Sequence, residues 1–182
     1  MTRASTGSGT RSRSAEHYAA YAEAGREGMY GRDWTLWRDL LTDDIGNLRA
    51  ALGWAIAHGD RELALRIAVA LRTFWDLRWL TPEGDEWLSR ALAVPGGTDP
   101  TLEARAMLAL SAYAAPGALT LKEAADTAQL AAATFRRCGD AAGEAEALVV
   151  LGGLLAAGER DNEARKCSPG LARCARATSG CG

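Results

Sequence analysis

The sequence predicts an all-α fold, a solenoid of about eight helices stacked as antiparallel pairs, and three observations carry that prediction. Of 182 residues 38 are Ala and 23 are Leu, whereas Val and Ile together number 7. Ala and Leu lose little on entering a helix, while strands favour β-branched side chains. Apolar stripes at three- and four-residue steps alternate with Gly, Pro and Asp breakers. Three of these stripes, Ala68–Leu71–Trp75, Met107–Leu110–Ala114 and Leu148–Leu151–Leu155, recur at steps of 39 and 41 residues, a period typical of helix-pair repeats. One pair cannot bury its stripe alone, so neighbours must stack. A globular bundle with irregular loops is the rival architecture.

Residues 1–13 hold nothing to bury and read as a disordered tail. Ser14 is placed to cap a first helix reaching about Arg26, with Tyr18, Tyr21 and Ala22 on one side and Gly25, Gly28 and Gly31 as its breakers. Asp33 caps a short helix carrying Trp34, Trp37, Leu40 and Leu41. Asp43 and Asp44 then suit the positive end of a third, where Ile45, Leu48, Leu52, Ala55 and Ile56 recur at helical spacing. His58-Gly59-Asp60 closes that helix and caps the next, Arg61 to about Trp79. Its stripe Ala64, Ile67, Ala68, Leu71, Trp75 and Arg78, with Leu65 and Val69 beside it, is wide enough to require packing on two sides.

Thr81-Pro82 supplies an N-cap followed by proline at the first helical position, for a helix with Trp87, Leu88, Ala91 and Leu92 that stops at Pro95-Gly96-Gly97. Helices follow over Leu102–Tyr113, Leu121–Arg137 and Glu144–Ala157. A last one begins at Glu163–Lys166, where Pro169-Gly170 should interrupt it. The helical repeat domain thus spans 14–166, with a Trp-rich half at 33–94 and an Ala-rich half at 101–166; residues 167–182 form an irregular Cys/Arg/Gly-rich tail. All six tryptophans lie between 34 and 87, so the more stable core belongs to the first half.

A net charge of -2 gives no global attraction to nucleic acid or anionic membrane. The N-terminus lacks the apolar run of a secretory signal, and residues 141–157, the nearest to a membrane span, are interrupted by Glu144 and Glu146. Four cysteines confined to the last quarter do not form a disulfide framework. A cytoplasmic protein with free thiols is expected.

The stretch Asn47-Leu48-Arg49-Ala50-Ala51-Leu52-Gly53-Trp54-Ala55 resembles a segment of large bacterial LuxR-type and SARP-type (AfsR-like) signal-transduction ATPases, transcriptional regulators with C-terminal tetratricopeptide-like repeats. The likeness continues through Gly59-Asp60, Glu62 to Arg66, Phe74-Trp75, Leu77-Arg78, Glu83-Gly84, Trp87-Leu88 and Arg90-Ala91-Leu92, and covers roughly residues 14–166. It implies a right-handed, tetratricopeptide-like solenoid in which Leu148, Leu151, Gly152, Leu155 and Ala164 take signature positions, Gly152 allowing close helix approach. Two departures stand out: Asp44-Ile45-Gly46 replaces an acidic-His-Asp triplet, and Trp79 occupies the place of the family's glycine after Leu-Arg. The end beyond Lys166 reads as truncated or frame-shifted. The chain contains no G-x-x-x-x-G-K-[ST] loop to cradle a nucleotide, so ATP hydrolysis is not carried over.

Candidate chemical groups are few. His17 and His58 lack metal-spaced partners and read as surface or capping residues. Cys167, Cys174 and Cys181 repeat every seven residues but contain no CxxC pair, and Cys138 sits at a helix C-terminus where the dipole disfavours a thiolate. The acidic groups Asp39, Asp43, Asp44 and Glu83, Asp85, Glu86 occupy helix-initiating positions. A helix-turn-helix over 40–54 would offer Arg49 alone to read bases, too little for DNA. Arg72, Arg78 and Trp79 are the candidate interaction residues, since Arg and Trp are enriched at binding hot spots; a Trp plugging the inter-helix corner is the structural alternative.

The sequence therefore predicts a non-enzymatic module without cofactor or metal, binding a protein partner or small effector in a concave helical groove, with no nucleic-acid or membrane contact of its own. A small helical-bundle enzyme and a truncated remnant without independent function are the other readings.

Overall fold

The computed structural model describes residues 5–112 and 119–178, with side chains over 12–112 and 119–159. Seven α-helices and no β-strand occur among the described residues: α1 Ser5–Met29, α2 Trp34–Ala57, α3 Arg61–Leu77, α4 Thr81–Ala93, α5 Pro100–Ala112, α6 Leu121–Cys138 and α7 Ala141–Thr178. The all-α prediction holds. Several local expectations do not.

The first helix starts at Ser5, inside the expected tail, and runs past two of the expected breakers, Gly25 and Gly28, to end at Met29 before the third, Gly31. Gly25 and Gly28 are contact points instead: a Cβ on Gly25 would lie 3.0 Å from Leu41, and one on Gly28 2.0 Å from Trp37. The two glycines let α2 lie close against α1. Next, the two helices expected between Trp34 and Ala57 are one. Asp44 and Thr42 satisfy their polar atoms within the helix, Asp44 accepting from Asn47 Nδ2 (3.0 Å) and Thr42 Oγ1 donating to the Arg38 carbonyl (2.6 Å). Carboxylates read as a helix start therefore sit mid-helix. Finally, α7 runs from Ala141 to Thr178, through the expected interruption at Pro169-Gly170 and most of the stretch expected to be an irregular tail. Of the tail, residues 179–182 lie outside the described residues, as do all side chains beyond 159.

Helices α3, α5 and α7 start alike. Asp60, Asp99 and Asp140, again 39 and 41 residues apart, precede α3, α5 and α7. Their carboxylates accept from the amides of Leu63 (3.1 Å), Thr101 (3.0 Å) and Gly143 (2.9 Å), each cap contributing about 1 kcal/mol. The Gly143 amide, with Arg105 beside it, holds the Asp140 carboxyl below its usual range. A capping box at α6 pairs the Thr120 side chain with the Glu123 amide and the Glu123 carboxylate with the Thr120 amide. At α4 the cap is Leu80 rather than Thr81, which is the first helical residue.

Three helix ends share one turn as well. Backbone bonds run from Asp60 N to Ala55 O, Leu80 N to Trp75 O and Asp140 N to Phe135 O, the six-residue closure of a Schellman motif. Its left-handed residue is Gly59 (φ 73°), Trp79 (φ 58°) or Gly139 (φ 76°).

Each helix packs on the next in the chain, and α3 also touches α1 and α5, while α5 also touches α7. Arginine–carboxylate pairs bridge those same alternate helices: Arg66 to Glu23 (2.8 Å) between α1 and α3, Arg61 to Glu103 (2.7 Å) between α3 and α5, and Arg105 to Asp140 between α5 and α7. Two hydrophobic cores result. The larger gathers α1 to α4 around Leu48, Leu52, Ile67, Leu71, Phe74 and Trp75; the smaller is mostly alanine around Phe135, with Ala128, Ala131 and Ala147. Helix α5 serves both, giving Ala106 to the first and Ala104 and Leu108 to the second.

The recurring stripe is covered unevenly. Ala68, Leu71 and Trp75 are fully buried, Met107 and Leu110 partly so, whereas Leu148 and Leu155 are 47% and 56% exposed; Ala114 lies outside the described residues. No helix among the described residues covers that side of α7, and a Cβ on Gly152 would meet nothing within 4 Å. The close approach expected at Gly152 occurs at Gly84, against Trp75, and at Gly143, against Phe135.

Candidate functional site

The three predicted interaction residues do not form one surface. Arg72 is buried (7% exposed) and engaged inside the fold, its Nε 3.1 Å from Asp76 and its Nη1 2.6 Å from the buried Asp85 of α4. Two carboxylates and an arginine on facing helices explain its burial. Arg78 caps α3 and is exposed. Trp79 is 91% exposed, so it does not plug the inter-helix corner.

A groove of about 610 Å³ runs across the alternate helices instead. Arg26 and Tyr30 line it from α1, Val69, Arg72, Thr73, Asp76 and Leu77 from α3, Arg105, Leu108, Ala109 and Ala112 from α5, and Ala145, Glu146, Val149 and Val150 from α7. Val69, Leu108 and Val149 stand 39 and 41 residues apart. The periodicity was visible, but the predicted stripe is one residue over: position 68 points into the core and position 69 borders the groove.

Helix geometry accounts for the lining. Residues three and four apart share a face, so Val69, Thr73, Asp76 and Leu77 present a mixed strip along α3. Tyr30, just past α1, joins it through a 3.1 Å hydrogen bond between its hydroxyl and Thr73 Oγ1. Burial raises the Asp76 carboxyl above its usual range, against the opposing pull of Arg72. At the other wall Arg105 lies 3.8 Å from Glu146. The groove thus offers apolar side chains between fixed ion pairs, a surface suited to holding a ligand by shape with a few polar contacts.

The residues that carry the family resemblance meet elsewhere, in the packing of α2, α3 and α4. Arg49 donates through Nε and Nη2 to the two carboxylate oxygens of Glu83, both at 2.6 Å. Trp87 Nε1 donates to the same carboxylate at 3.3 Å, and hydrogen bonding from Arg49 holds the Glu83 carboxyl below its usual range. Gly84 abuts the buried Trp75 ring, which would lie 2.8 Å from an added Cβ. Arg49, the single base-reading candidate, is therefore occupied with Glu83.

Of the remaining candidates, His58 ends α2, stacked on Trp54 with ring centres 4.3 Å apart and Nδ1 2.8 Å from the Trp54 carbonyl. His17 stands edge-on to Tyr18, well inside α1 rather than near its start. Asp39 pairs with Arg38 and Glu86 with Arg90. Cys138 is exposed at the end of α6; the side chains of Cys167 and Cys174, and all of Cys181, lie outside the described residues. The segment Ala141–Glu159, with a mean hydropathy of 1.4, is long and apolar enough to cross a membrane by length and composition, and about 11% of it is buried. That differs from the sequence expectation, although Gly143 and Ala147 pack it against α6.

Compared with known proteins, the chain matches no family model, no curated protein and no solved structure.

Proposed function

We propose that this chain is a non-catalytic binding module, a short solenoid of helix pairs whose groove takes a protein segment or small effector. The observation that carries the reading is the convergence of Val69, Leu108 and Val149 from three successive odd helices on one groove, at the period of the sequence itself. The Asp60, Asp99 and Asp140 caps repeat at the same steps, and the contacts of α3 with α1 and α5, and of α5 with α7, follow the stacking of such arrays. The groove carboxylates Asp76 and Glu146 each face an arginine, which favours holding a ligand over acid–base work.

The same proposal extends to the resemblance: a right-handed, tetratricopeptide-like repeat arm of an ATPase-linked transcriptional regulator, cytoplasmic and without nucleic-acid or membrane contacts of its own. In an intact regulator, a ligand in the groove would bias the conformational equilibrium of the ATPase.

Selection of a random peptide library on the immobilised full chain tests the binding reading. Enriched peptides should lose at least tenfold in affinity on Ala112→Arg or Val149→Arg, two groove residues outside the buried cores, while helix content stays at wild-type level. Failure to enrich any peptide, or binding indifferent to both substitutions, overturns it.

A further inference from the structure

Trp79 occupies the left-handed position of a Schellman turn, the place that glycine takes at 59 and 139. A bulky side chain there is a genuine backbone outlier, and at 91% exposure the indole recovers nothing from burial within the chain. Strain of this kind, unrewarded in the isolated fold, points toward a contact outside it.

The surroundings of Trp79 share its character. Helices α1 and α3 end on the same side of the molecule, as the Tyr30–Thr73 hydrogen bond records, and α2 begins there. Tyr30 (77% exposed), Trp34, Leu36 and Leu77 (48%) are all exposed at this end. With Trp79 these side chains present on the order of 600 Å² of mostly apolar surface, approaching the ~800 Å² that one partner gives to a standard stable interface.

Charge indicates what covers it. Among the described residues Arg32 and Arg78 make no ion pair, and neither do Glu27 and Asp33, although all four sit at this end. A partner of either charge would leave half of them facing their own sign. A second copy related by a two-fold axis offers each cation an anion and each anion a cation, because an isologous interface brings a patch against itself. We propose that this end of the molecule is a homodimer contact, with Trp79 as its anchor and the Arg32, Arg78, Glu27 and Asp33 side chains as its reciprocal ion pairs.

Sedimentation of the full chain tests the proposal. At about 100 µM the wild type should run at twice the monomer mass and dissociate as NaCl is raised. Trp79→Gly should weaken the dimer at least tenfold while raising the melting temperature of the dilute monomer, so loss of dimer cannot be laid to misfolding. Arg32→Glu should weaken the dimer, and the double variant Arg32→Glu/Asp33→Arg, which keeps the patch self-complementary, should recover it. A wild type that stays monomeric, a Trp79→Gly dimer as tight as wild type, or a monomer that instead sediments with phosphatidylserine vesicles would each overturn it.

Discussion

Arg49 in α2 and Glu83 in α4 form a two-pronged ion pair, each contact 2.6 Å long, between helices that otherwise barely touch. Because both residues are partly exposed, solvent limits its worth to about 1 kcal/mol. A double-mutant cycle on Arg49→Ala and Glu83→Ala should return a coupling of that order.

The pH dependence of that pair has a definite sign. Folding lowers the Glu83 pKa, so its contribution is complete above the ordinary glutamate range and is lost as pH falls through the depressed folded value. Glu83→Gln should therefore be less stable than wild type at pH 7, and the gap should shrink between about pH 5 and pH 2. Urea titrations at several pH values measure it; a gap constant down to pH 2 would contradict it. Asp76 carries the opposite sign, its raised pKa costing stability once the group ionises.

The glycines divide into two classes with opposite responses to alanine. Gly84→Ala and Gly143→Ala would push a Cβ to 2.8 and 2.6 Å from the buried Trp75 and Phe135 rings, costing about 1–3 kcal/mol. Gly152→Ala and Gly153→Ala meet open space and should stabilise α7 by up to about 1 kcal/mol each. Thermal melts of the four variants separate the classes.

These responses mark where the sequence was readable. Composition and periodicity suffice for all-α, since an alanine-rich chain with few β-branched residues has little alternative. The start of α3 was readable because Asp60 caps by its own side chain. What a contact decides was not: Gly25 and Gly28 are breakers by propensity, yet they stay helical because Leu41 and Trp37 fill the space a Cβ would take. Asp44 signals a helix start until Asn47 is known to satisfy it. The groove needed one further step, moving the 39/41-residue stripe by one position to Val69, Leu108 and Val149. Arg72 looked like a surface arginine because its partners are four and thirteen residues away, and only the folding back of α4 brings Asp85 to it.

Breaking that buried pair should be among the costliest single changes. Asp85→Ala leaves Arg72 buried without its shortest contact, and a loss of about 3 kcal/mol follows. Chemical denaturation of the variant measures it.

The two cores should unfold separately. All six tryptophans report on the first half, whereas the second rests on Phe135 and alanines. In urea, helical circular dichroism should begin to fall before tryptophan fluorescence changes, and Phe135→Ala, at a cost of about 3–5 kcal/mol, should widen the interval. Coincident transitions for both probes would show one cooperative unit instead.

Helix α5, only 13 residues long, is the single element that belongs to both cores. It also forms the middle of the groove floor. Any shift of this helix is therefore carried to both flanks at once, through Ala106 to the core of α1 to α4 and through Ala104 and Leu108 to α6 and α7.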